Sequence, residues 1–159
     1  MIPKGTLDSV IQEQEARISN MIQKALLKAK YNINHKKNML LIPQDREVAA
    51  LLNLPRHIQL KDDDTKSLPA SCTDHPVYNV MVSRMIEGLN KIIENYKSIC
   101  EKSKDKDEHE TPDVELDKSR LEELSAQLLE IILAWGRASN TGPSLDKKST
   151  QLMKTLTRP

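Results

Sequence analysis

The sequence has no phenylalanine, a single tryptophan and three tyrosines in 159 residues. Burial must therefore rest on Leu, Ile, Val, Met and Ala, which is a helical palette. Charge of one sign is also lacking: the formal net charge is +1, too small by itself to argue for nucleic acid or an anionic membrane. Cysteine is limited to Cys72 and Cys100, which make no disulfide framework and no CxxC pair. They fall at opposite ends of one predicted helix, roughly 40 Å apart, so no bridge between them is expected. No apolar run is long enough to span a bilayer and nothing resembles a leader. The expectation is a chain with no membrane contact, cytoplasmic or delivered into a target cell by a leaderless route. Common catalytic signatures are missing as well: GxSxG, P-loop, GxGxxG and HExxH do not occur, which leaves a serine hydrolase or a nucleotide-binding enzyme unsupported.

What is present suits one helical core. Charged residues make up 30% of the chain and mean hydropathy is −0.56, values that fit narrow apolar stripes on solvated helices. Residues 1–60 hold nine Lys and Arg against five acids. That basic bias could meet phosphates or could simply be a solvated helix face.

The stretch Thr73–Cys100 organises the chain. Tyr78, Val82, Met85, Ile86, Leu89, Ile92, Ile93, Tyr96 and Ile99 share one helical stripe, predicting a long helix over 75–100. Thr73 or Asp74 can cap it, and Pro76 suits its first turn. His75 then stands at the helix mouth, where unpaired N–H groups favour an anion such as phosphate. The plainer alternative is a solvent-exposed first-turn histidine.

Upstream, Met1–Gly5 reads as an extended lead, Thr6 as a cap, and 7–30 as a first long helix striped by Leu7, Ile11, Ile18 and Ile22. Asn38–Pro43 suggests a short extended segment, and Gln44–Leu52 a short helix stopped by Asn53 and Pro55. Residues 56–74 carry no period; their Asp62-Asp63-Asp64 run lacks the spacing of a calcium loop. Glu101–Glu110 is nearly all charge and reads as a link. A third long helix over 117–136 follows, ended by Gly136 and the Asn140–Pro143 turn, with a weak terminal helix after Ser144. The fold class expected is mainly α with a minor β element: three long amphipathic helices around one core. The boundaries are 1–100, a charged linker at 101–116, and a helical extension at 117–159.

Taken in order, Ile2-Pro3-Lys4-Gly5, a helix, Ile33-Asn34 with Asn38 and Leu41-Ile42-Pro43, and then His75-Pro76-Val77-Tyr78-Asn79 resemble the AHH branch of the HNH, or ββα-metal, nucleases. Those are often toxin domains of bacterial polymorphic or contact-delivered systems. The resemblance covers about residues 1–96. It implies a ββα-metal-like remnant, a metal-dependent nucleic-acid endonuclease, and Mg²⁺ or another divalent cation. By the match His75 would be a metal ligand and catalytic residue, Asn38 the residue that orients the site, and Tyr78 and Asn79 the support of the helix mouth. Nucleic acid and a cognate immunity protein would be the partners. Two departures stand out: Met39 follows Asn38 where a glycine is common, and the family's histidine pair would have to precede Met1. The chain would then be part of a longer toxin or a degenerate, inactive domain. His35 and His57 have no spacing that recommends them as replacements.

A second expectation belongs to another class: a helical protein-interaction module, immunity or adaptor, with no catalytic activity. Amphipathic helices and a charged link serve it as well as they serve a nuclease.

Overall fold

The computed structural model describes residues 1–57, 75–87, 90–102, 114–139 and 141–156. These residues are mainly α: seven helices, designated α1 (Lys4–Gln12), α2 (Ala16–Lys28), α3 (Arg46–Leu52), α4 (Pro76–Glu87), α5 (Asn90–Lys102), α6 (Val114–Arg137) and α7 (Leu145–Leu156), with one 3₁₀ turn at Lys36–Asn38. The expected caps at Thr73 and Asp74, the Asp62–Asp64 run and Cys72 lie outside the described residues.

The helix expected over 7–30 is two helices. Between Gln12 and Arg17 the sequence offers the core only Ala16, so one continuous rod would gain little burial there. The break lets α1 pack on α4 while α2 packs on α5 and α6. The first helix also starts earlier than its sequence suggests. Ile2 is buried, the Pro3 carbonyl accepts the Leu7 N–H at 3.1 Å, and Gly5 lies within the first turn while Thr6 is buried without capping. Helix α2 ends on Lys30 in the left-handed region, φ 54°, with the Tyr31 N–H returning to the Leu26 carbonyl at 2.9 Å. That is a helix stop usually given to glycine.

The minor β element is smaller than expected and elsewhere. After the 3₁₀ turn the backbone is extended at Met39, but no described strand pairs with 39–43. The one bridge among described residues joins Arg56 and Ser144 in parallel. Helix α3 matches its expectation: Asp45 Oδ1 accepts the Val48 N–H at 2.9 Å, and Asn53 ends the helix at φ 53°. The 75–100 helix is interrupted, α4 ending at Glu87 and α5 starting at Asn90.

Helix α6 runs past Gly136, which is no stop signal. A Cβ there would lie 1.8 Å from the Asn53 carbonyl oxygen, so the glycine exists to let the end of α3 touch α6. Helix α7 is capped by Ser144, whose Oγ accepts the Lys147 N–H at 3.1 Å. Leu121, Leu124, Leu128 and Ile132 of α6 and Leu145 of α7 share one core with Ile2, Leu7, Ile18, Tyr78, Met81 and Val82. The chain after residue 117 therefore packs directly on the segments that carry the candidate site.

Candidate functional site

His75 lies immediately before Pro76, and its carbonyl accepts the Asn79 N–H at 3.0 Å, closing the first turn of α4. One turn on, the Asn79 side chain returns to the ring: His75 Nδ1 and Asn79 Oδ1 are 2.8 Å apart. An amide oxygen only accepts, so Nδ1 carries the proton and the Nε2 lone pair of a neutral ring is left for another partner. Tyr78, on the same turn, stacks edge to face with His75 at 5.4 Å between ring centroids. Its hydroxyl donates to the Met1 carbonyl at 2.6 Å. Burial pushes that phenol well above its ordinary range, which keeps it a neutral donor.

No spacing singles out His57, yet its ring meets that of His75 edge to face at 4.5 Å between centroids. Its place is fixed by backbone pairing. The His57 N–H donates to the Pro43 carbonyl at 2.8 Å, Arg56 N–H to Pro143 at 2.8 Å, and Leu145 N–H to Arg56 at 3.0 Å. Both histidines line a cavity of about 150 Å³ whose other walls include Met1, Ile2, Pro3, Leu40 and Ile42. Apolar walls and two imidazoles make a site that holds a polar ligand at few points.

The helix mouth is not an open phosphate site. Asp146 of α7, buried at 2% exposure, accepts the Tyr78 N–H on Oδ1 at 2.9 Å. An internal carboxylate from 68 residues away thus fills the position where an external anion was expected. Burial pushes the Asp146 carboxyl up, opposed by the Tyr78 and Val77 N–H groups and by the nearby His75. Its second oxygen, Oδ2, is buried and makes no hydrogen bond of regular geometry among the described residues.

Asn38 is brought near this site only through the N-terminal segment. Its Oδ1 accepts from the Ile2 N–H at 2.9 Å and from Ser125 Oγ at 2.7 Å. Its Nδ2 donates to the Ile2 carbonyl at 3.0 Å and to the Ile33 carbonyl at 2.7 Å. Both amide protons are used, and the backbone carbonyl takes the Met1 amine. Asn38 therefore fastens Met1 and Ile2, which wall the histidine cavity, while its own side chain faces a different cavity of about 550 Å³ with Tyr31, His35, Lys37 and Glu122. His35 belongs to that second cavity and accepts the Lys37 N–H on Nδ1 at 3.3 Å.

Among the described residues no three His, Cys, Asp or Glu side chains converge as metal ligands, and no helix is long and apolar enough to cross a membrane. A cation could therefore take at most His57 and His75 from these residues, with oxygen ligands completing its shell. Two imidazoles suit an ion such as Zn²⁺ or Ni²⁺ better than Mg²⁺, which prefers oxygen. No family model, no curated protein and no solved structure matches the chain.

Proposed function

We propose that the chain is an HNH-like nuclease domain of a toxin, built on a ββα-metal-like remnant within its helical core, that acts on phosphodiesters with a divalent transition ion. The observation that carries this reading is the meeting of His57 with His75 at 4.5 Å, with Asn79 holding the His75 proton on Nδ1. A histidine ligand is commonly held this way, the nitrogen that does not bind the metal tied to a fixed acceptor. A bound cation would offset charge on a scissile phosphate. His57 and His75 would hold it, Tyr78 and Asn79 would keep the ring of His75 in place, and Asn38 would act at one remove by fixing the cavity wall. Nucleic acid and a cognate immunity protein are the partners this reading calls for. No group among the described residues stands out as a general base. Met1 lines the cavity, so residues placed ahead of it, such as the histidine pair of the resembling family, would enter beside His75.

The test is plasmid nicking and RNA cleavage with Mg²⁺, Mn²⁺ or Zn²⁺ and with EDTA. It is run on this chain, on the chain extended by its preceding codons, and on His57→Ala and His75→Ala in each form. Metal-dependent cleavage lost in both histidine variants is the expected result. Cleavage retained in either variant would remove that histidine from the site, and absence of cleavage in every form would overturn the nuclease reading.

The second reading, a helical interaction module, is favoured by a separate feature. Leu41 is 93% and Leu51 81% exposed, with Met39, Val48 and Leu52 also exposed on and before α3. Apolar side chains so grouped are a common mark of a protein contact. Tight one-to-one binding to a partner, unchanged by EDTA and weakened by Leu51→Glu, would support it.

A further inference from the structure

We infer that the segment from Gly142 to Asp146, at the start of the C-terminal helix, is what brings His57 and His75 together, and that Asp146 is the positioning residue for His75. The inference rests on the two-histidine site proposed above. The histidines come from separate parts of the chain, and neither is held by the other's segment through a described backbone bond. A close neighbour of each, Arg56 beside His57 and Tyr78 three residues after His75, is held by the same short stretch. On the His57 side, Arg56 pairs with Pro143 and Leu145 through its backbone N–H and carbonyl at 2.8 and 3.0 Å, and Arg56 Nε donates to the Gly142 carbonyl at 2.6 Å. On the His75 side, Asp146 takes the Tyr78 N–H at 2.9 Å, in the first turn of α4 that the His75 carbonyl closes.

A backbone bridge at Arg56 and Ser144 and a carboxylate cap only two residues later thus span the gap between the histidines. Gly142, at φ 57°, makes this possible: a Cβ there would lie 2.9 Å from both the Ala49 Cβ and the Arg46 carbonyl oxygen. The turn has to pass close to α3 before it reaches the site. Asp146 also decides how a phosphate can approach. With the first N–H groups of α4 committed to a carboxylate, a substrate anion must be met from the side of the histidine rings rather than along the helix axis.

The experiment compares Asp146→Ala, Asp146→Asn and Leu152→Ala in the full chain. Each is checked for helix content and melting temperature, and then for the ring-to-ring nuclear Overhauser contact between His57 and His75. Leu152, partly buried on the same helix, loosens α7 without touching the cap. Asp146→Ala is expected to lose the ring contact while keeping its helices. Asp146→Asn, whose amide oxygen can still accept the Tyr78 N–H, is expected to keep it, and Leu152→Ala to keep it at a lowered melting temperature. Binding of Zn²⁺ alone, followed on the same ring signals, should weaken by roughly 10–100-fold in Asp146→Ala. A ring contact that survives Asp146→Ala, or that is lost equally in Leu152→Ala, overturns the inference. Loss of the contact only in Asp146→Ala, with no Zn²⁺ binding by any form, upholds the positioning role and instead counts against the metal site.

Discussion

Removing the Asn38 side chain should be among the most damaging single changes in this chain. Asn38→Ala deletes four hydrogen bonds and leaves the Ile2 N–H, the Ile2 and Ile33 carbonyls and the Ser125 hydroxyl without that partner. A typical bond contributes about 1 kcal/mol net, and an orphaned buried group costs about 1–3 kcal/mol. Because water can reach some of these groups, the expected loss is about 3–5 kcal/mol, a large share of the 5–15 kcal/mol usual for a domain. With a urea dependence of about 1–3 kcal/mol per molar, the midpoint should fall by roughly 2 M, read by circular dichroism and by the fluorescence of Trp135, the sole tryptophan. Asn38→Asp separates hydrogen bonding from shape. Its carboxylate can still accept from Ile2 and Ser125 but would face two carbonyl oxygens with no proton to give. Its folded pKa must therefore rise above the ~3.9 of a free aspartate. A raised folded pKa contributes stability that is complete below the unfolded value and lost as pH climbs through the folded one. The Asp variant should therefore recover stability relative to wild type as pH falls toward ~4. A loss under about 1 kcal/mol for Asn38→Ala, or an Asp variant with no acid recovery, would refute this account of the node.

Gly136→Ala gains about 1 kcal/mol of helix propensity but drives a methyl into the Asn53 carbonyl. Overpacking against backbone costs about 1–3 kcal/mol or more, so thermal melting should show a net loss; a gain would mean that α3 moves away freely. Lys30→Gly relieves the left-handed backbone at the end of α2 and should be neutral or stabilising by up to ~1 kcal/mol, whereas clear destabilisation would point to a role for the lysine side chain. Tyr31 is pushed up to about 12 by burial, with Glu122 adding to it. The folded chain thus holds this proton, and the associated stability is intact below pH ~10 and lost as pH rises through ~12. Phenolate absorbance should grow together with loss of helical dichroism, and ionisation of all three tyrosines near pH ~10 in a still-folded chain would contradict this. Leu41→Ser and Leu51→Ser should each shift stability by less than ~0.5 kcal/mol, since both side chains are already in water; a larger loss would mean they are covered in solution.

The helices that could be read from sequence are those whose apolar period meets a single neighbour face. Leu121, Leu124, Leu128 and Ile132 form an unbroken stripe, and α6 forms as one rod. The stripe of 7–30 is as regular, since Ile11 and Ile18 are a heptad apart, yet the helix divides because its two halves bury against different partners. Periodicity cannot report that choice, because both arrangements satisfy the same stripe. Gly136 shows a related ambiguity: one glycine can be a stop or a point of close approach, and the Asn53 carbonyl that decides between them is far away in the chain.

The same distinction separates the parts of the candidate site. His75, Tyr78 and Asn79 were legible because their relation is local: the i to i+4 spacing of one helical turn puts the Asn79 amide on the His75 ring. Asn38 stood out as a residue type, but the four partners that define its work come from Ile2, Ile33 and Ser125. His57 and Asp146 carried no local signal. His57 reaches the site through backbone pairing, its own N–H at Pro43 and its neighbour Arg56 at Pro143 and Leu145, while the Asp146 carboxylate accepts the Tyr78 N–H from 68 residues away. A backbone bond leaves no mark on residue identity, and a carboxylate that caps a helix 68 residues away leaves none in local spacing, so no spacing rule could have selected them. What the sequence does hold is the permission for that pairing: a glycine at 142 that can take φ 57° against α3, and a serine at 144 that starts α7. The helix presenting Asp146 thus begins two residues after the turn. Inserting one residue between the Ser144 cap and Asp146 would rotate Asp146 relative to that cap by about 100°, so the register of Ser144 to Asp146 constrains the site along with the identity of its histidines.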